Sequence, residues 1–496
     1  MTQESTATKT WFGHPAGLST LFFTELWERF SYYGMRALLV LFMVDQIDKG
    51  GMGLDEKNAA AIYGLYTAFV YLACLPGGWI ADRLLGAQRA VWVGGLIIAA
   101  GHFTLAIPSI PTFFLGLVLV VIGTGFLKPN VSAIVGQLYP EGGARRDAGF
   151  TIFYMGINMG AFIGPLICSY LGEKVNWHAG FGAAGVGMLA GVIQYRFSVV
   201  RLGEAGLHSS APEKKPGEGM DKAWFPVIGG FAVVALVVGL AMAGTIKINA
   251  LSLAQNTTYV IVGLAAAFFI YIFAFGKLNS TERKQTCVIV VLFFASAVFW
   301  SGFEQAGSSL NLFADRHTDR MVFGFEVPAG WFQSLNPLYI IIFAPVFASL
   351  WVSLAKRQLD PSMPAKFAFG MLLLALGFLV MVGAAKLVTA GNQAAPYWLI
   401  LTYLLHTMGE LCVSPVGLSS VTKLAPKRFV GQMMGIWFLA TSLGNLIAGL
   451  AAGRFDPESL NEMPGLFMQI VTVGVGAGLL LLVFTKPIKK LMGKIE

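Results

Sequence analysis

Apolar runs recur along this chain, and each is about 20 residues long, enough to cross ~30 Å of hydrocarbon as a helix. The runs lie near 20–45, 60–84, 89–107, 112–138, 149–171, 179–200, 224–244, 257–276, 286–312, 333–355, 366–388, 396–422, 430–453 and 465–485. A bilayer core offers the backbone no water, so a run of this length predicts a helix. Only 12% of the residues are charged, against roughly 25% in soluble domains. The sequence therefore predicts an all-α polytopic membrane protein with fourteen spans.

Basic residues are distributed unevenly between the two sides of these spans. If both termini are cytoplasmic, 23 of the 34 lysines and arginines lie on the cytoplasmic side and eight on the other. Cytoplasmic loops of membrane proteins carry such an excess, so we expect both termini in the cytoplasm. The net charge of +8 reflects this topology and the anionic headgroups nearby, and gives no reason to expect a nucleic acid partner.

A polar stretch near the middle divides the spans. Residues 201–222 are rich in glycine, proline and charge, which indicates a linker. Six spans precede it, two follow it, and a second charged break, GKLNSTERKQ, precedes the last six. We expect an N-terminal six-helix bundle at 1–200, a linker and inserted helix pair at 201–285, and a C-terminal six-helix bundle at 286–496. The four cysteines lie singly in different spans, so neither a metal cluster nor a disulfide is expected.

The loop between the second and third spans, GGWIADRLLGAQR, resembles the signature loop of the major facilitator superfamily. The residues that carry it are Gly78, Asp82, Arg83, Gly86 and Arg89. Glycine permits a tight turn between helices, and the charged residues can hold neighbouring helix ends together. Short charged loops with glycine are also common between spans, and the motif does not indicate which substrate is transported. The resemblance implies two related six-helix bundles with a cavity between them, here with two extra helices.

The first span contains four ionisable residues where lipid should reject them. In FFTELWERFSYYGMRALLVLFM these are Glu25, Glu28, Arg29 and Arg36. At 100° per residue they share one arc of about 140° with Tyr32 and Tyr33, opposite an apolar face. Each ionised group at bilayer depth costs at least ~2.5 kcal/mol, so this arc must face a wet cavity or countercharges. A structural pair such as Glu25 with Arg29 would explain two of the four charges; the whole set favours a functional site.

Three further charged residues lie within predicted spans, namely Lys128, Glu304 and Glu410. Lys128 could instead extend to an interface, and the two glutamates could make only helix–helix hydrogen bonds. With the first span they form four acids and three bases, which can pair and leave one acid to carry a proton. His406 and Ser414 lie one turn to either side of Glu410, and for His406 we favour a packing role over a proton relay.

Several of these segments together resemble the proton-dependent oligopeptide transporter family. Its first-helix and fifth-helix motifs match Glu25, Glu28, Arg29, Phe30, Tyr32, Tyr33, Gly34, Phe153, Tyr154, Ile157, Asn158 and Gly160. GTGFLKPN, FEQAGSSL, WFQSLNPL and GELCVSPVGLS are similar to its segments in helices four, seven, eight and ten. The resemblance covers nearly the whole chain, including the helix pair that bacterial members insert. It implies a proton-coupled symporter that imports di- and tripeptides by alternating access.

The resemblance also implies roles for individual residues. Proton coupling would fall to Glu25, Glu28, Arg29, Lys128 and Glu304. Substrate binding would fall to Arg36, Tyr33, Tyr66, Lys128, Tyr154, Asn158, Trp331, Asn336, Glu410, Ser414 and Trp437. A zwitterionic peptide needs a cation and an anion about its own length apart, ~3.5 Å per residue. Arg36 and Lys128 would bind its carboxylate and Glu410 its ammonium, while Glu304 would pair with Arg36 until it took up a proton.

The expected partners are di- and tripeptides, protons and the lipid of a bacterial inner membrane, for a monomer that needs no metal or cofactor. The main rival is a related symporter for nitrate or another small anionic or polar metabolite, although such plant relatives often alter the first-helix motif that is intact here. A membrane enzyme would need a metal cluster, a phosphate-binding loop or a soluble catalytic domain. A nutrient receptor would need a signalling module, for which the short termini leave little room.

Overall fold

The computed structural model describes residues 10–207, 221–454 and 460–493, and within them the chain is almost entirely helical. The helices are α1 Gly17–Val44, α2 Glu56–Ile80, α3 Ala87–Leu105, α4 Ile110–Gln137, α5 Gly143–Lys174, α6 Trp177–Ser198, α7 Trp224–Met242, α8 Ala250–Phe275, α9 Ser280–Phe303, α10 Ser309–His317, α11 Leu335–Lys356, α12 Met363–Thr389, α13 Tyr397–Leu424, α14 Val430–Ala452, α15 Met463–Val483 and α16 Thr485–Met492. Two short antiparallel hairpins pair β1 Thr10–Trp11 with β2 His14–Pro15 and β3 Met321–Val322 with β4 Phe325–Glu326. The predicted all-α fold is confirmed, while residues 208–220 of the predicted linker lie outside the described residues.

Every predicted span falls on a helix, and twelve spans in the described part of the chain are long and apolar enough to cross a membrane. The protein is thus a multi-pass membrane protein. The two long helices outside that set are α1 and α3. Ionisable residues interrupt the apolar sequence of α1, and Gln88, Arg89 and His102 lower the hydropathy of the 19-residue α3. Helices α1 and α3 are therefore long enough to cross a membrane but too polar to be counted among the twelve apolar spans.

The described helices form two compact units, which we call the N unit and the C unit. The N unit holds the chain up to Leu38 together with Leu72–Ile248, and the C unit holds Leu39–Tyr71 together with the chain from Asn249. As a result α1 and α2 each divide between the units. The inserted helices divide as well, because α7 lies in the N unit and α8 in the C unit.

In the N unit, glycines bring α5 directly against the backbone of α1. A Cβ atom at Gly160 would collide with the carbonyl of Leu26, and one at Gly164 would collide with the carbonyl of Phe30. The absence of these side chains lets the two helices touch and fixes the rotation of α1 about its axis. The tight turn expected before α3 is also present, since Gly86 adopts a φ of +77°, where glycine is not strained.

In the C unit, the first part of α2 packs along α14. A Cβ atom at Gly64 would lie 3.1 Å from the Cα of Gly449, so the two backbones approach closely there. The hydroxyl of Ser442 on α14 donates to the carbonyl of Ala68 at 3.0 Å. These contacts explain why the segment before Leu72 belongs with the C-terminal helices.

The span predicted at 286–312 is present, and its helix is interrupted within the span. Helix α9 ends at Phe303, one 3₁₀ turn covers Glu304–Gly307, and α10 begins at Ser309. Side chains hold the break, because Ser309 donates to the Gln305 amide oxygen at 2.8 Å and the Tyr403 hydroxyl donates to the Ala306 carbonyl at 3.3 Å. The break places Glu304 at the end of a helix inside the C unit, where it is 5% exposed.

Candidate functional site

The charged arc of α1 forms a buried ion cluster in the N unit. The Nε atom of Arg29 lies 3.2 Å from Oε1 of Glu25 and also contacts Oε2 of Glu28. All three side chains are almost completely buried, and Glu28 is 0% exposed. The i, i+4 pair expected as a structural alternative is therefore present. One oxygen of each carboxylate is nevertheless buried without a hydrogen bond from the described residues, and such an oxygen can accept a proton.

Tyr33 lies between this cluster and the second arginine of the arc, and Tyr32 lies beside Arg29. The guanidinium carbon of Arg29 lies 5.1 Å from the ring centroid of Tyr32 and 6.0 Å from that of Tyr33. The guanidinium carbon of Arg36 lies 5.6 Å from the same Tyr33 ring. Aromatic faces stabilise cations at these distances, especially where water is excluded. Arg36 is 6% exposed, so Tyr33 lies within reach of two buried guanidinium groups.

Lys128 on α4 is an electrostatic neighbour of the cluster and interacts with Arg29, Tyr33 and Cys74. Pro129 follows it inside the helix and removes one backbone hydrogen bond from α4 beside the lysine. The charges brought together in the N unit are Glu25, Glu28, Arg29, Arg36 and Lys128. These are two acids and three bases.

The two predicted substrate residues on α5 differ in exposure. Tyr154 is 42% exposed, whereas Asn158 is 4% exposed. The Nδ2 atom of Asn158 donates to the backbone carbonyl of Tyr154 at 2.9 Å. One of the two Nδ2 protons is thus committed to its own helix, and Asn158 can offer its oxygen Oδ1 and its second Nδ2 proton to a ligand.

In the C unit, an amide and a carboxylate meet between α11 and α13. Asn336 Nδ2 lies 2.8 Å from Glu410 Oε2 and 3.0 Å from the hydroxyl oxygen of Thr407. Asn336 and Glu410 are both partly exposed, whereas Thr407 is fully buried. We call this group the amide–carboxylate site. It presents a carboxylate that accepts a hydrogen bond from a neutral amide.

The remaining predicted substrate residues of the C unit are Tyr66, Trp331, Ser414 and Trp437. Tyr66 on α2 is 3% exposed, and Ser414 lies one turn beyond Glu410 on α13. Trp437 is 7% exposed and packs against Phe367, with 6.5 Å between the ring centroids. Trp331 lies in a 3₁₀ turn with its ring 6.0 Å from that of Phe325. The expected pairing of Arg36 with Glu304 would join the two units and stays a prediction.

Sequence reasoning missed Thr407. Its position three residues before Glu410 was a usable signal, because side chains at i and i+3 lie on the same face of a helix. Among the described residues, no group of histidine, cysteine, aspartate or glutamate is arranged to hold a metal ion. The arrangement can bind opposite charges in two places and can accept protons at buried carboxylates.

Comparison with known families decides the assignment, because the profile of the POT family matches residues 88–464. The chain belongs to the POT family. The expected resemblance is thus confirmed, and so is the expectation of a transporter rather than an enzyme, because POT proteins are transporters.

Known POT relatives are similar over nearly the whole chain. The peptide transporter YePEPT of Yersinia enterocolitica is 46% identical over 501 residues, which cover 98% of this chain and 97% of that protein. The di-/tripeptide transporter of Lactococcus lactis subsp. cremoris is 38% identical over 500 residues, which cover 98% of each. These relatives are bacterial, and the similarity extends over nearly their full length.

Solved POT structures agree closely with this one. A crystal structure of a peptide transporter POT in complex with sulfate has a TM-score of 0.90 at 43% identity and covers 98% of both chains. A POT family transporter in complex with 5-aminolevulinic acid has a TM-score of 0.87 at 36% identity, with 97% of this chain and 98% of that chain covered.

Proposed function

We propose that this protein is a proton-coupled symporter that imports di- and tripeptides by alternating access. The observation that carries the proposal is the opposite charge character of the two units. The ion cluster of the N unit contains three bases and two acids, and the C unit presents the partly exposed carboxylate of Glu410 beside an amide. A zwitterionic peptide complements that pair of sites. The names of the Yersinia and Lactococcus relatives support the same substrate class.

The substrate's carboxylate would be bound by Arg36 and Lys128, since the planar fork of arginine suits a carboxylate. Its ammonium would be bound by Glu410 with Asn336, and Oδ1 of Asn158 and the hydroxyl of Ser414 would accept from its polar groups. The walls for variable side chains would be supplied by aromatic residues, namely Tyr33, Tyr66, Tyr154, Trp331 and Trp437. Because main-chain charges would provide most of the recognition, such a site would accept many peptide sequences.

Proton coupling would use the buried carboxylates. Glu25 and Glu28 each have a buried oxygen that accepts no hydrogen bond from the described residues, and Arg29 balances their charge. Glu304 ends a helix in the interior of the C unit, and in this proposal it pairs with Arg36 when ionised. Protonation of Glu304 would release Arg36 to the peptide, and inward movement of one proton would yield about 2.3 kcal/mol per 100 mV.

The membrane arrangement in this proposal has fourteen spans, because α1 and α3 cross with their polar residues facing the interior. Both termini lie in the cytoplasm of a bacterial cell, and the transporter acts as a monomer in the inner membrane. The two bundles comprise residues 1–200 and 286–496, with 201–285 as the linker and inserted pair. The uneven distribution of lysine and arginine supports this orientation.

The deciding experiment measures uptake of labelled dialanine into proteoliposomes, with and without an inward proton gradient. The intact protein should accumulate dialanine only with the gradient. Glu304→Gln should lose accumulation but keep exchange of internal for external dialanine, because peptide binding remains while the proton site is gone. Glu141→Gln is the matched control, since Glu141 is an exposed glutamate paired with Arg145 at 3.4 Å, and it should accumulate dialanine normally.

A second candidate, transport of nitrate or another small anion, is favoured by the three bases of the ion cluster. Gradient-driven nitrate uptake without any dialanine uptake would replace the peptide proposal. Accumulation of dialanine that survives in Glu304→Gln would keep the substrate and move the proton site to Glu25 or Glu28.

A further inference from the structure

Thr407 has its only proton committed within its own helix. It is 0% exposed, and its hydroxyl donates to the carbonyl of Tyr403 at 2.7 Å. Tyr403 is itself held, because its phenol hydroxyl donates to the Ala306 carbonyl at 3.3 Å. A threonine hydroxyl has one proton and two lone pairs. Towards Asn336, therefore, Thr407 can act only as an acceptor.

This restriction fixes the orientation of the Asn336 carboxamide. Its Nδ2 atom carries two protons, and the nitrogen lies 3.0 Å from Thr407 Oγ1 and 2.8 Å from Glu410 Oε2. If the amide rotated by half a turn, its oxygen would face the Thr407 oxygen and the Glu410 carboxylate, two groups that accept. Only one orientation satisfies all three side chains, and it leaves Oδ1 as the acceptor that Asn336 presents.

We propose that Thr407 is a positioning residue that holds Asn336 so that its Oδ1 atom, together with the Glu410 carboxylate, accepts the ammonium group of the substrate. This inference rests on the proposed peptide transport and adds to the proposed ammonium site a residue that acts through Asn336. An ammonium has three protons to donate and accepts nothing. With Thr407 in place, the amide–carboxylate site offers acceptors; without it, the carboxamide can turn and point its protons at the ammonium.

The test compares a peptide that has a free ammonium with one that lacks it. Dialanine and N-acetyl-dialanine are measured as inhibitors of labelled dialanine uptake by the intact transporter in proteoliposomes. The wild-type protein should prefer dialanine strongly. Thr407→Val keeps the side-chain shape and removes the hydroxyl, so its preference should fall about tenfold, through weaker inhibition by dialanine alone. The maximal uptake rate should stay near that of the wild type, and Thr407→Ser should restore the preference.

The matched control is Thr402→Val. Thr402 is also 0% exposed on α13, and its hydroxyl donates only to backbone carbonyls, those of Trp398 at 2.8 Å and Gly377 at 3.2 Å. This variant should leave the preference for the free ammonium unchanged. A double variant provides a second check, because Asn336→Ala with Thr407→Val should lose no more preference than Asn336→Ala alone if Thr407 acts through Asn336.

Each outcome separates the inference from the proposed function. A preference that persists in Thr407→Val, or additive losses in the double variant, would overturn the positioning role while peptide transport stands. Equal inhibition of the wild type by the two peptides would overturn it too, because the ammonium would then not be recognised. Absence of dialanine uptake by the wild type would overturn the proposed function and, with it, this inference.

Discussion

The carboxylates in the ion cluster of the N unit and in the amide–carboxylate site of the C unit differ in exposure and in bonding partners. In the cluster, Glu25 and Glu28 are 3% and 0% exposed, and the guanidinium of Arg29 contacts both. In the C unit, Glu410 is partly exposed, and the hydrogen bond described for it comes from a neutral amide. One site is closed and contains ion pairs, and the other is partly open and contains a hydrogen bond from an amide.

The difference matches what each site can exchange. Removing an ion from water costs several kcal/mol, so a fully buried carboxylate needs a cation close by at all times. A proton is small enough to reach such a group without opening the site. In the proposed function the other site binds a peptide ammonium, which is larger and must enter with its hydration shell removed in part, so the carboxylate of that site has to remain accessible.

The largest loss of stability among the variants that test this contrast is expected from Arg29→Met. The change leaves two buried carboxylates without the guanidinium that contacts them, and breaking a buried pair in this way destabilises proteins by about 3–5 kcal/mol. A large drop in the thermal unfolding midpoint in detergent should report it. Arg145→Met is the control, because the pair of Arg145 with Glu141 is exposed and is worth about 0–1 kcal/mol. Equal midpoints for the two variants would break the contrast.

A smaller effect is expected from Gly160→Ala. The added methyl group collides with the Leu26 carbonyl and pushes α1 from α5, at a cost of about 1–3 kcal/mol. Gly182→Ala on α6 is matched in chemistry, but its Cβ atom meets only Ala106 Cβ, at 3.8 Å. The thermal unfolding midpoint and the proton-driven uptake should be measured for both variants. Both quantities should fall in Gly160→Ala and stay unchanged in Gly182→Ala. If uptake by Gly160→Ala is normal, the closed cluster does not depend on a fixed α1.

The smallest effect on stability is expected from Glu410→Gln. A partly exposed carboxylate beside an amide can become neutral with a change within about 1 kcal/mol in unfolding free energy. The inhibition constant of dialanine should nevertheless rise tenfold or more, since a hydrogen bond to a charged group is worth about 1.5–3 kcal/mol. A stability loss as large as that of Arg29→Met would mean that the two sites do not differ in kind.

Helix α1 shows which structural features could be predicted from the sequence alone. Its length, its charged arc and the Glu25–Arg29 pair follow from helix geometry, and all are present in the structure. The contact of Arg29 with Glu28 was not expected, because adjacent residues on a helix point in different directions. Only the rotamer of a long arginine side chain, fixed by packing, brings that pair together.

The C unit contains features that could not be predicted from the sequence. The helix break at Glu304 depends on donors from Ser309 and Tyr403, and Tyr403 is 97 residues from the carbonyl that it stabilises. The role of Thr407 likewise depends on Asn336, 71 residues away on another helix. Hydropathy reports which segments enter the membrane, but these features arise only when helices distant in sequence are packed together.

The division of α2 between the units has a mechanical consequence. The boundary falls between Tyr71 and Leu72, and Pro76 lies four residues beyond Leu72 in the same helix. Proline has no amide hydrogen, so the carbonyl of Leu72 lacks the bond that would otherwise stiffen this turn. The helix therefore has one backbone hydrogen bond fewer near the position where it passes from one unit to the other. Any displacement between the units would concentrate bending at this turn and leave the segments on either side straight.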